Sequence, residues 1–165
     1  MTENSNPLNK YFRQPAIYVS LPSGTDYPAE VVTKSATGEI GIMPMTAKDE
    51  IRFKTPDALM NGQGVVDVIQ SCVPNIKDAW QIKSYDLDTI LVAIRIATYG
   101  ETMEINFNVP KVKETVTHSV NLPAILDQLK ATKIDPDITL DDGLKITVRP
   151  LTYKDMTSTS LQTFQ

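Results

Sequence analysis

Tyr85-Asp86-Leu87-Asp88-Thr89-Ile90-Leu91-Val92-Ala93-Ile94-Arg95-Ile96-Ala97-Thr98-Tyr99-Gly100 is followed, after Glu101, by Thr102-Met103-Glu104-Ile105-Asn106-Phe107-Asn108-Val109, and the change of period between the two stretches decides the fold class. In the first, Leu87, Ile90, Leu91, Ile94, Ala97 and Thr98 recur at helical spacing and form one broad apolar face. Gly100 is placed to end that helix in the left-handed conformation. In the second, Met103, Ile105, Phe107 and Val109 alternate with polar residues, the pattern of a strand with one face buried and one wet. Val116, His118 and Val120 alternate in the same way after Pro110-Lys111-Val112-Lys113, which predicts a hairpin. A second hairpin is predicted where Ile138 and Leu140 precede Asp142-Gly143, with Leu144, Ile146 and Val148 after it.

Upstream, Ile17, Val19 and Leu21 alternate before Pro22-Ser23-Gly24, and Ile40 and Ile42 make a second short strand closed by Pro44. Thr46-Ala47-Lys48-Asp49 approximates a capping box, and Thr55-Pro56-Asp57 is a second helix start. Val65, Ile69 and Cys72 share a helical face that Pro74 stops, and Asn121-Leu122-Pro123 opens a helix carrying Leu122, Ile125, Leu126 and Leu129. The expected fold is α+β, a mostly antiparallel sheet of hairpins packed against several short amphipathic helices. The Tyr85 to Tyr99 helix should lie on the sheet formed by the strands around 103–109, 115–120 and 144–148, with Leu91 and Ile94 at mid-face. Arg95 lies off that stripe, which assigns it to a nearby carboxylate or to another chain.

The chain has 165 residues, 41% of them hydrophobic and 22% charged, enough for one sizeable core. The expected organisation is a flexible N-terminal arm over 1–15, one α+β domain over 16–150, and a C-terminal tail or partner-binding segment over 151–165. The longest apolar runs are far short of the ~20 residues that span a bilayer, and the first residues lack the apolar stretch of a secretory signal. An intracellular site of synthesis and no membrane partner are expected. A net charge of −4 with dispersed Lys and Arg disfavours nucleic acid.

Little in the sequence signals chemistry. The lone Cys72 lies in a largely apolar run and reads as a buried thiol rather than a reactive or metal-binding one. The single histidine, His118, falls on the apolar face of a strand and reads as a partly buried structural residue, with no nucleophile or orienting group signalled beside it. Asp86 and Asp88 are best explained as first-turn acids at a helix N-terminus. The Asp135 to Asp137 and Asp141-Asp142 groups lack the spacing and closing Glu of a calcium loop. Asn61-Gly62-Gln63-Gly64 has glycines ahead of a helix but lacks the Lys-Ser/Thr pair of a phosphate loop. It supports a rival reading, a small ligand- or nucleotide-binding enzyme using Gly62 to Gly64, over a plain helix-to-helix joint only weakly. No cofactor or metal is expected.

The segment Tyr85 to Glu101, in which an aromatic-Asp pair opens a helix that closes on Arg95, Tyr99 and Gly100-Glu101, resembles the baseplate hub proteins of T4-type contractile-tailed phages. The similarity extends upstream through Met43 to Glu50 and Ile69 to Val73, and downstream through Leu140 to Gly143 and Arg149-Pro150-Leu151. The pattern departs from relatives that carry cysteines in the strand after Gly-Glu, where this chain has Ile105, Phe107 and Val109, and relatives often continue past the point where it stops. What the resemblance implies is a non-enzymatic structural or assembly protein of the baseplate hub, acting through other baseplate and tail proteins and through self-association. It would be made in the host cytoplasm and either stay in the virion tail or leave after assembly. Tyr11, Phe12, Arg95, Tyr153 and Phe164 are the candidate partner-binding residues.

Overall fold

The computed structural model describes residues 12–24, 27–33, 35–56, 61–109, 114–132 and 136–163. Strand β1 (Ile17–Val19) pairs antiparallel with β2 (Ile40–Ile42), Ile17 opposite Ile42 and Val19 opposite Ile40. Helix α1 (Ala47–Phe53) starts on a full capping box. The Thr46 hydroxyl accepts from the Asp49 backbone N–H at 3.3 Å, and the Thr46 N–H donates to the Asp49 carboxylate at 2.8 Å. The second start signal, Thr55-Pro56-Asp57, runs into residues outside the described set.

Helix α2 (Gln63–Cys72) and a 3₁₀ turn over Ala79–Gln81, capped by Asp78, lead to α3 (Ser84–Tyr99). Gly100 has φ +93° as a glycine cap can, but its ψ of −177° is extended rather than left-handed, so the chain runs straight from the helix into β3. Strand β3 (Thr102–Val109) pairs with β4 (Glu114–Asn121), Asn121 caps α4 (Leu122–Ala131), and β5 (Asp137–Thr139) pairs with β6 (Lys145–Thr147). Helix α5 (Tyr153–Thr163) opens on a second reciprocal cap, in which Thr152 Oγ1 accepts from the Asp155 N–H while the Thr152 N–H donates to the Asp155 carboxylate.

The α+β class and the paired strands are as the periodicity predicts, but their assembly is not. The strands form three separate two-stranded antiparallel ribbons, not one sheet. Helix α3 does not lie on the later strands. It packs chiefly on α4, and also on α2, α5 and the β1–β2 ribbon. Its buried stripe is Leu87, Ile90, Ala93 and Ile94, with Asp86 and Thr89 among them. Leu91 is only partly buried, so the centre of the face is Ile90 rather than Leu91. The physical reason is competition. Val66, Val68, Ile69 and Cys72 of α2, Ile40 and Ile42 of β2, and Leu126 of α4 fill the space against α3 and leave none for a sheet. Beyond Gly100, Leu122 and Leu126 are the only buried residues among those described.

Ile90 is fully buried, so Ile90→Ala should cost about 2–5 kcal/mol through lost transfer energy and a residual cavity. Leu91→Ala should cost visibly less. Chemical denaturation of the two variants checks the assignment, and a larger loss for Leu91→Ala would place the centre of the helix face elsewhere.

Candidate protein-binding surfaces

Of the five sequence-predicted residues, Tyr11 and Phe164 lie outside the described residues. Phe12 is 62% exposed. Tyr153 stacks on Trp80, ring centroids 5.4 Å apart and 18° from parallel, and burial raises its phenol pKa. Arg95 faces a cavity between α1, α2 and α3, its guanidinium 4.4 Å from the centre of the Tyr99 ring. The described three therefore have different surroundings: an exposed ring, an intramolecular stack and a cavity wall.

Two polar clusters sit inside the fold. Arg13 donates to the Pro44 carbonyl, to the Ser71 carbonyl and hydroxyl at 3.1 Å, and to Cys72 Sγ at 3.2 Å, with the Asp49 carboxylate 3.6 Å away. Burial works against the charge on Asp49, but hydrogen bonds from Thr46 and Ser71 and the charge of Arg13 outweigh it and hold the carboxyl below its ordinary range. Burial pushes the Cys72 thiol up, and Arg13 only partly opposes it. With no exposed surface, Cys72 is the buried thiol its apolar run predicts, and an unreactive one.

The second cluster is centred on Asp86. One carboxylate oxygen accepts from the Ser23 N–H at 3.0 Å and the other from the Tyr27 hydroxyl at 2.5 Å, while the same hydroxyl accepts from the Lys83 N–H at 2.8 Å. Asp86 does stand in the first turn of α3, as the sequence implies, but it is fully buried and ties the Ser23–Tyr27 segment to that helix. No sequence signal announces this, because Ser23 and Tyr27 are about sixty residues away along the chain. Burial and the adjoining carboxylate push the Tyr27 phenol well above its ordinary range. Neither cluster has a nucleophile and base open to solvent.

The Gly62 to Gly64 segment is not an open phosphate cradle. Gly62 is buried with φ +77°, and a Cβ there would meet Thr157 and Trp80 at 3.0–3.1 Å. Its glycine serves close packing under α5. Among the described residues, no group of three or more His, Cys, Asp or Glu could hold a metal, and no helix is long and apolar enough to cross a membrane.

The most distinctive surfaces are the two later ribbons. In β5–β6, Ile138 lies opposite Ile146, and Leu140, Leu144 and Val148 share their side by alternation. These five are 39–55% exposed. The opposite side carries Asp137, Thr139, Lys145 and Thr147, with a Thr147–Asp137 hydrogen bond of 2.7 Å across the strands. In β3–β4, Phe107 pairs with Val116, Ile105 with His118 and Met103 with Val120, and the first three apolar residues named, Phe107, Val116 and Ile105, are 41–47% exposed. His118 is exposed too, so the expected partly buried histidine is corrected by the ribbon's lack of cover. Each ribbon is amphipathic as its alternation predicts, but the apolar side meets solvent.

Among the described residues the core thus closes without two of the apolar ribbon faces. A family model described as T4 bacteriophage base plate protein matches residues 19–164. The chain belongs to that family. No curated protein and no solved structure matches. As a base plate protein it has a structural role in the phage tail and interacts with other base plate proteins. The family match runs through both ribbons and through α5, so the exposed faces lie inside the family's span.

Tyr27→Phe should destabilise the base plate protein by about 1–3 kcal/mol, because it leaves the Asp86 carboxylate and the Lys83 N–H short of a buried partner. The pH dependence follows from the raised phenol. A group whose folded pKa lies above its unfolded value of 10.0 contributes stability that is complete below that value and lost as pH climbs past it. Wild-type stability should thus fall on the alkaline side of pH 10, and Tyr27→Phe should flatten this part of the profile. Parallel alkaline slopes would show that Tyr27 ionises as freely folded as unfolded.

Proposed function

We propose that this base plate protein is a structural and assembly component of the baseplate hub, and that it holds neighbouring hub proteins through the apolar faces of its two ribbons. The observation that carries the reading is the exposed face of Ile138, Leu140, Leu144, Ile146 and Val148 on β5–β6. A two-stranded ribbon with one apolar side is marginal alone in water, and contiguous apolar patches rimmed by polar residues mark protein interfaces. The β3–β4 ribbon supplies a second such face, and among the described residues no further strand pairs with its outer edges, which admits strand addition as well as face packing. Hub membership rests on the resemblance of Tyr85 to Glu101. The protein acts by binding, with no reaction of its own, and self-association through a ribbon is part of the same proposal.

Co-expression with hub proteins, pull-down and mass spectrometry test the reading. Wild type should retain at least one hub component. Ile146→Glu and Phe107→Glu should each lose a component while keeping wild-type denaturation midpoints, because neither side chain belongs to the core. Retention of every component by both variants would refute the ribbon faces as interfaces. Near-stoichiometric protein in purified virions would make it a permanent part, and its absence there a factor that leaves after assembly.

A further inference from the structure

His118 is the one histidine of the chain, and it stands in the middle of an apolar face. In the β3–β4 register it lies opposite Ile105, with the Phe107–Val116 pair on one side of it and the Met103–Val120 pair on the other. These three pairs share a face because successive residues of a strand point to opposite sides of the ribbon. His118 is exposed, and Ile105, Phe107 and Val116 around it are 41–47% exposed. In the protein alone, water therefore reaches the imidazole whether it is neutral or charged.

No group on this face is placed to answer a charge on the ring. Strand β3 is the one paired with β4, and the residues it adds to the face, Met103, Ile105 and Phe107, do not titrate. Glu104 pairs with Ser119 and belongs by alternation to the opposite side. The acidic residues in phase with the face are Glu101, just before β3, and Glu114, at the start of β4. They lie at opposite ends of the ribbon, beyond the Met103–Val120 and Phe107–Val116 pairs. None of the ion pairs among the described residues includes His118.

Covering the face changes the energetics of the ring. In the three pairs every residue but His118 is apolar, so the surface that fits them is apolar too. A neutral imidazole enters such a contact at modest cost, whereas an imidazolium stripped of water without a counter-charge costs far more. Histidine is the side chain that changes charge between about pH 5 and 8. Each proton held by the free protein must then leave before the partner can seat, so affinity is complete above that range and lost as pH falls through it.

We infer that His118 makes docking on the β3–β4 face pH-dependent. An apolar surface of a partner base plate protein, with no carboxylate over the imidazole, covers the face at neutral pH. It is released as the ring takes up a proton in mild acid. The inference rests on the reading of the ribbon faces as interfaces and adds the condition under which this one closes.

The test uses the full chain and the base plate component that mass spectrometry identifies as lost by Phe107→Glu. Its affinity is measured at about pH 7.5 and about pH 5.5 for wild type, His118→Gln and His118→Phe. Wild type should bind about tenfold more weakly at the lower pH, the loss expected one unit below the ordinary histidine pKa when the bound state excludes the proton. His118→Gln, polar but never charged, and His118→Phe should each bind equally at both. The denaturation midpoint of His118→Gln should match wild type, because the position is exposed. An equal acid loss in His118→Gln overturns the inference by assigning the titration to the partner. So does tighter wild-type binding in acid, which would put a partner carboxylate over the ring. A component that depends on Phe107 but binds alike at both pH values sinks the inference alone. If Phe107→Glu retains every component, the reading of the ribbon fails and the inference falls with it.

Discussion

Asp86 is a carboxylate with no solvent exposure, at the start of the longest helix, and the way its charge is met organises the N-terminal half of the molecule. Taking a carboxylate out of water costs several kcal/mol unless its oxygens are bonded. Here the Ser23 N–H, the Tyr27 hydroxyl and the dipole at the N-terminus of α3 together offset that cost. Because Tyr27 also accepts from the Lys83 N–H, the loop after β1 is fixed to α3 at both the helix entry and its first turn. Arg13 does similar work on the other side of the core, joining the segment before β1 to the β2–α1 loop and to α2. Partially buried polar bonds thus set the positions that the apolar contacts then fill.

With those fixtures in place the core closes early in the chain. Residues of β1, β2, α2, the 3₁₀ turn and α3 supply most of it, the segments between them add Leu21, Tyr27, Val32, Val73, Ile76 and Ile82, and α4 adds Leu126. The two later ribbons, β3–β4 and β5–β6, come after Gly100 and find the apolar face of α3 already occupied. Their own apolar faces cannot be buried by the described residues, yet their cross-strand polar bonds, Thr117 to Asn106 and Thr147 to Asp137, are formed at 2.7 Å. Under the proposed reading, in which neighbours cover these faces, binding adds to the stability of the ribbons by mass action.

Much of this was legible in sequence, and the boundary of legibility is physical. The helix of Ser84 to Tyr99, the capping boxes, the buried Cys72 and the hairpin registers all follow from spacing within about ten residues, where backbone geometry leaves few choices. The cap at Thr152 and Asp155 has the same local spacing, and it opens a helix within the segment expected to be a tail or partner-binding segment. Asp86 was readable as a first-turn acid but not as the tether for Ser23 and Tyr27, and Arg95 as lying off the apolar stripe but not as a guanidinium held over the Tyr99 ring.

Which segments are helix or strand, and which side of each is apolar, depends on the period of residues close along the chain and is written in their order. Which apolar faces meet is set by long-range packing instead. An amphipathic strand and an amphipathic helix offer interchangeable greasy surfaces, so nothing local distinguishes a ribbon that caps α3 from one left open. The choice went to α2 and α4, and the same packing that seals Ile90 and Ile94 leaves Ile138, Ile146 and Phe107 in water and the Arg95 donor without a partner among the described residues.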